Sequence, residues 1–454
     1  MRRIRRTARV CKPLAAAVLA WCGASAANAF ADTIVVANCN DSGAGSLRDA
    51  VLGATSGDTI DLSQLTCSRI SLTTGEISVG QQDLSLSAYS DGGTPLRADG
   101  RLSVPPVTID AQNNSRVLHH LASGTLSIVG LSLRNGRMEG ADGGCVYSLG
   151  NVSLRDSDVS NCQAIGTSVG PNGSSGGCGG GFAAKAVTVE RSTITHNQSL
   201  GLGPRGGGIC VNQELHLSQS VVSDNSAYTV ISSPVGSGGG IWLDLRATSD
   251  IAYSTIARNV AASGGAIWAT APSGSYTRLN IQSSTISGNS AAGGNSAMSF
   301  GAASLGVYNS TITANNSQRA AIAAVKFYGT ATIASTIIAG NLAQGAPCDL
   351  DDVSKQAPLG NRDLIAAALI PVPPGTITDD AQLAPLADNG GPTPTHALLA
   401  DSPAIDAGIN PFGARCDQRY IAQDCYPRQA GTATDIGAFE FGAQRNAIFA
   451  DGFE

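Results

Sequence analysis

Three residues able to move a proton or balance a charge stand at one place in a recurring phrase. His196, Asp224 and Arg258 each directly precede an asparagine, Asn197, Asn225 and Asn259. If these copies stack as neighbouring strands, the side chains lie about 5 Å apart, and an imidazole, a carboxylate and a guanidinium so spaced form an acid–base–electrostatic trio. A solvated edge with alternating charges would have the same sequence. Asp349, Asp351 and Asp352 cluster as well, as do Asp379 and Asp380. Neither group has the glycine-containing Asp-x-Asp-x-Asp-Gly spacing of a calcium loop, and no Cys/His cluster has zinc spacing. They read as acidic loops, and no metal or other cofactor is expected. A third constellation is aromatic. Trp242 follows Ile241 and Trp268 follows Ile267, with Tyr147 at the same place further up the chain. If the isoleucines point inward, the next residues point outward. Stacked indoles would then form a platform for a sugar ring or another apolar partner, unless a loop such as Ser226 to Ser237 folds over them as a satellite core.

The elements that must position these residues are repeats of apolar-x-apolar-x-x-Ser-x-apolar-x-x-Asn. Clear copies are Val187/Val189/Ser192/Ile194/Asn197, Leu215/Leu217/Ser220/Val222/Asn225, Leu279/Ile281/Ser284/Ile286/Asn289 and Leu305/Val307/Ser310/Ile312/Asn315. Copies ending at Asn259 and Asn341 lack only the first apolar residue. Two earlier ones carry their asparagine one residue early, at Asn135 and Asn161. Glycine runs such as Gly206–Gly208 and Gly238–Gly240 lie between copies.

Apolar residues at period two specify strands, and units of this length specify a solenoid or another array. Stacked coils supply the burial and backbone partners that one coil lacks. Asn197, Asn225, Asn259, Asn289, Asn315 and Asn341 are expected to form a structural amide ladder, each tolerating a left-handed corner.

Residues 1–31 read as a secretory signal: Arg2, Arg3, Arg5, Arg6, Arg9 and Lys12 precede a short apolar run and small-x-small cleavage sites. Removing those six cations from 28 leaves 22 against 34 acidic residues, a net charge of −12. That balance argues against nucleic acid and anionic membrane as partners, and the apolar run is too short to span a bilayer. Nine of the eleven cysteines remain, which fits an oxidising, exported setting. Cys39–Cys67 and Cys416–Cys425 are the favoured pairs, and the odd count leaves one thiol or an intermolecular bridge.

Residues 32–110 read as an N-terminal cap with entry coils, with Ser46 as helix N-cap; 111–345 as the repeats; 346–443 as a Pro-rich C-terminal cap; and 444–454 as a tail. Gly45-Ser-Leu-Arg-Asp-Ala-Val51 resembles the Cys-Ser-Leu-Arg-Glu-Ala segment of secreted bacterial β-helix proteins. Gly264-Gly-Ala-Ile267 resembles the repeats of polymorphic outer-membrane proteins, although Ile or Val replaces their Phe in Ile194-x-x-Asn197 and Val222-x-x-Asn225. Four segments, from Asp388-Asn-Gly-Gly-Pro through Ser402-Pro-Ala-Ile-Asp-Ala-Gly408 and Asp417-Gln-Arg419 to Asp435-Ile-Gly-Ala-Phe-Glu440, are similar in order and content to the choice-of-anchor Q domain. That resemblance implies architecture and a secreted address, not a reaction.

The fold expected is all-β: a single-stranded right-handed parallel β-helix with N-terminal and C-terminal caps, exported through the Sec pathway to the outer cell surface or beyond. The function expected is adhesion or glycan contact, with a polysaccharide lyase or glycoside hydrolase as the alternative and a surface structural component as a third reading. No Gly-His-Gly or Arg-x-Lys motif of the polygalacturonase kind favours the hydrolase. Carbohydrate is the partner class expected; oligomeric state and ligand identity stay open.

Overall fold

The computed structural model describes residues 31–89, 105–167, 177–230, 234–272, 277–301, 304–320, 323–352, 355, 357–420 and 425–445. Residues 1–30 of the expected signal segment and the tail beyond residue 445 lie outside them. The chain winds as a parallel β-solenoid. Three sheets run its length, of twenty, eleven and nine strands among the described residues. They are called here the first, second and third sheets. Coils contribute two strands to the first, and these fuse in Phe182–Glu190 and Ile209–Ser218.

Register explains why the fold holds. In the second sheet Leu133, Val159, Ile194, Val222, Ile256, Ile286, Ile312 and Ile338 pair in sequence order. Each is at most 1% exposed. They form one internal aliphatic column. Stacking across about 4.8 Å turns strands too short to persist alone into a continuous core. In the two incomplete repeats, buried Ser249 pairs with Leu279, and Ala331 pairs with Leu305. The Ser249 hydroxyl accepts from the Leu215 amide at 3.0 Å, so the departure is satisfied.

The amide ladder is continuous. Asn197, Asn225, Asn259, Asn289 and Asn315 each donate from Nδ2 to the next asparagine at 2.8–3.0 Å. Each also bonds a carbonyl of the preceding coil. A parallel hydroxyl ladder runs from Ser157 through Ser192, Ser220, Ser254, Ser284 and Ser310 to Thr336.

One expectation is corrected. The left-handed corner falls not on the ladder asparagines but on the residue before them. His196, Asp224, Arg258 and Ala314 have φ of 55–58°, and Gly288 and Gly340 share the position. Asn135 and Asn161, with φ of 54° and 57°, occupy that corner themselves, hence their early placement. The ladder residue must instead turn its amide inward. Glycine is required at the other corner, where a Cβ on Gly238 would sit 2.2 Å from the Ile241 carbonyl.

The helix Leu47–Gly53 buries Leu47, Ala50 and Val51 in the solenoid core at the N-terminal end, and Ser46 Oγ accepts from the Asp49 amide as its N-cap. At the other end, strands Leu350–Asp352, Leu359–Asn361 and Leu364–Ile365 continue the stack. The chain then runs back along the outer face of the second sheet as a strap. Thr255 Oγ1 donates to Pro394 O and Thr285 Oγ1 to Gln418 Oε1, both at 2.6 Å. Ser287 Oγ meets His396 Nε2 at 2.8 Å. A second core joins Ile337, Ala339 and Leu364 to Leu398, Ala404, Ile436 and Phe439.

Four disulfides are formed: Cys39–Cys67, Cys145–Cys162, Cys178–Cys210 and Cys416–Cys425. Cys348 is a buried free thiol.

Candidate functional site

The outward face of the first sheet carries a column set by strand register: Ser78, His119, Tyr147, Ala183, Cys210, Trp242, Trp268, Ser299, Lys326 and Asp351. Beside it, just before the glycine corners, run Cys178, Arg205, Ser237 and Ser263. The Cys178–Cys210 disulfide therefore ties the two columns together.

Trp242 and Trp268 are adjacent and parallel, with centroids 5.8 Å apart and planes within 6°. The Arg205 guanidinium lies 5.2 Å from the Trp242 ring centre, within cation–π range. Of the two readings, an open platform or a satellite core, Trp242 follows the second. Trp242 is only 8% exposed and belongs to a satellite core with Ala183 and Cys210, flanked by Cys178, Tyr147 and Trp268. Half-buried Trp268 is the ring that meets solvent.

Toward the N-terminal end the strip becomes ionic. Glu76 Oε1 lies 2.8 Å from His119 Nδ1, and its Oε2 accepts from Arg116 Nη1 at 3.0 Å. Arg116 is nearly buried and also donates to the carbonyls of Asp142 and Gly143. Its guanidinium stands 5.4 Å from the Tyr147 ring centre, and His119 meets the same ring edge-on at 5.5 Å. Burial raises the Asp142 carboxyl, opposed by its bond from the Cys178 amide and by the charges of Arg205 and Arg116. Burial, with Asp142 nearby, raises the Tyr147 phenol as well, so it stays protonated at neutral pH. An open depression of about 530 Å³ adjoins this cluster, lined by Gly75, Glu76, Asn113, Asn114, Ser115, Arg137, Met138 and Glu139.

The trio of His196, Asp224 and Arg258 lies elsewhere, at the convex corner between the second and third sheets. Arg258 grips Asp224 through two bonds of 2.8 and 2.7 Å, with its own side chain 56% exposed. Burial pushes the Asp224 carboxyl up, but hydrogen bonds from Arg258 and Ser223 outweigh it and leave the group below its ordinary value. His196 is exposed and makes no hydrogen bond to Asp224. Arg258 and Asp224 form a partly exposed ion pair at this corner, with His196 exposed beside them.

Sequence reading missed Glu76, Arg116, His119, Asp142 and Arg205. A signal was present for one of them, since His119 follows inward Leu118 as Trp242 follows Ile241. The glycine run that marks the aromatic coils is absent from Arg116-Val117-Leu118, so the correspondence was hidden. Asp351, read only as loop acid, is the last member of the outward column and pairs with Lys326 and Lys355.

No helix of the described residues is long and apolar enough to cross a membrane. No protein-family model matches the chain, and no curated protein matches it. Among solved structures, a crystal structure of a pectate lyase is similar in fold, at 14% sequence identity and a TM-score of 0.49, covering 90% of this chain and 96% of that one.

Proposed function

We propose that the protein is an exported surface or secreted β-helix protein that holds an extended glycan along the outward strip of the first sheet. One observation carries this reading: partly exposed Trp268 lies in a parallel stack with Trp242, over whose ring Arg205 stands. Sugar rings offer flat C–H faces to aromatic surfaces and hydroxyls to flanking charged groups, and a rigid stack holds its indoles in place at little entropic cost. A strip repeating at the coil spacing suits a linear polymer better than a compact molecule.

Export is supported by the signal-like residues 1–31 and by the four disulfides, which form and persist in oxidising compartments. Strap residues 388–440, similar to the choice-of-anchor Q domain, support a place in secreted bacterial β-helix proteins.

The test is binding of the mature chain to a panel of neutral and acidic polysaccharides. Trp268→Ala is expected to weaken retention at least about tenfold, the scale of a lost aromatic anchor, with thermal unfolding unchanged within about 3 °C. Wild-type protein that binds nothing on the panel overturns the reading.

A further inference from the structure

We propose that His119 is a general base that cleaves a uronic-acid polymer by β-elimination, with Glu76 as its positioning residue. The proposal rests on the glycan-contact reading above and adds chemistry to it.

Geometry is the ground. Glu76 can only accept, so at 2.8 Å it fixes the proton of neutral His119 on Nδ1 and leaves the Nε2 lone pair available. Among the described residues Nε2 has no hydrogen-bond partner, and the side chain is 23% exposed on the outward column that carries the indoles. Arg116 fixes the second Glu76 oxygen and is itself tied to two backbone carbonyls, so the carboxylate cannot swing away. Tyr147 packs edge-on against the imidazole and holds its plane.

Elimination suits this cluster better than hydrolysis. Glycoside hydrolysis uses two carboxyl groups, one protonated and one free to attack or to activate water. Here both Glu76 oxygens are engaged, half-buried Asp142 accepts from the Cys178 amide, and Glu139 is ion-paired with Arg137. Elimination needs one base and a cation for the substrate carboxylate. Arg137 lines the depression beside Glu76 with a side chain 40% exposed and is ion-paired there with Glu139; a substrate carboxylate takes its charge by displacing that partner.

In the step, Nε2 takes the proton from the ring carbon bearing the carboxylate. The C–H electron pair becomes the double bond to the neighbouring carbon, and the glycosidic C–O bond at that carbon breaks. The leaving oxygen takes a proton from water, and the imidazolium returns its own to solvent. The products are an unsaturated uronate and a new chain end, with no oxidant, metal or net water consumed.

The experiment incubates the mature chain with polygalacturonate, alginate and a chondroitin-type polymer. It follows the ultraviolet absorbance of the double bond conjugated to the carboxylate, and measures retention of each polymer in parallel. Wild type is expected to form that product on at least one. His119→Ala is expected to lose at least about a hundredfold in kcat, the usual share of a general base, while still retaining the polymer. Glu76→Gln is expected to lower kcat and shift the acidic limb of its pH profile, a change that a purely structural role would not produce. Because Glu76 also anchors Arg116, His119→Gln, which spares that pair, provides the control for folding. Retention without product overturns this proposal and leaves the glycan-contact reading standing. Product formation unchanged in both His119 variants also overturns it. Absence of retention and product together overturns both.

Discussion

Asn341 Nδ2 donates to Asp349 Oδ1 at 2.7 Å, so the buried amide ladder ends on a carboxylate. The hydroxyl ladder ends likewise, with the Thr336 amide donating to Asp363 Oδ1 at 3.0 Å. Both terminators are fully buried, yet they differ in support. Asp349 also accepts from the amides of Asn341 and Ala367, whereas Asp363 Oδ2 has no partner among the described residues. Burial accordingly pushes Asp349 up to about 6 and Asp363 further, to about 8.

The folded state holds the Asp363 proton more tightly than the unfolded chain, so the protein loses stability as pH rises from about 4 to about 8. Asp363→Asn cannot ionise and keeps an acceptor for Thr336. Its unfolding temperature is therefore expected to exceed that of wild type at pH 9, with the difference vanishing near pH 4, as measured by circular dichroism. Asp349→Asn is expected to behave oppositely. It points an amide donor at the Ala367 amide or at Asn341, and costs about 1–3 kcal/mol near pH 4, a difference that shrinks as pH rises to about 6, where wild type gives up its own raised proton.

Within the ladder, Asn259→Ala removes the acceptor of the Asn225 backbone amide and of one Asn225 Nδ2 hydrogen, together with the side-chain donor to the Val222 carbonyl. Several unpaired buried groups at once cost about 3 kcal/mol or more. In a stack where each coil contacts only its neighbours, the loss concentrates there. Hydrogen exchange of coils 215–290 is expected to rise before that of the entry coils.

The column from Leu133 to Ile338 was readable because period-two aliphatics leave one arrangement that buries them all. The corner was displaced by one residue because asparagine satisfies two demands. In Asn135 and Asn161 it tolerates left-handed backbone, and in Asn197 to Asn341 it bonds inward. Identity alone does not separate the two. The His119 cluster was not readable because Glu76, Arg116 and Asp142 come from different coils and meet only through register. The strap along the second sheet rests on contacts more than a hundred residues apart, such as Thr285 with Gln418, and no local pattern encodes these.

Ala314 is exposed and holds φ of 57° at a corner where Gly288 and Gly340 serve in other coils. Left-handed backbone costs an alanine about 1–2 kcal/mol, more than the entropy a glycine loses on folding. Ala314→Gly is expected to raise stability by about 0.5–1 kcal/mol in urea unfolding.

The ridge of His196, Asp224 and Arg258 is expected to be nearly silent. Exposed ion pairs contribute about 0–1 kcal/mol and weaken with salt. Asp224→Asn, which removes the charge and still tolerates the left-handed corner, should therefore shift the urea midpoint slightly at low ionic strength and not at high. Any glycan retention or cleavage should persist in His196→Ala, and its loss would move the functional site to this corner.

The two indoles should separate structure from binding. Trp242 is 8% exposed, between the Cys178–Cys210 disulfide and Arg205, so Trp242→Ala opens a cavity and costs about 3 kcal/mol. Trp268 is only partly buried, and its removal costs about 1 kcal/mol because less area returns to water. In paired melting and polysaccharide-retention measurements, Trp242→Ala is expected to lower both and Trp268→Ala chiefly retention. Trp268→Phe keeps a flat apolar face at the same register and is expected to recover part of the binding. Equal losses of stability in both alanine variants, with retention untouched, would assign the pair to the satellite core alone.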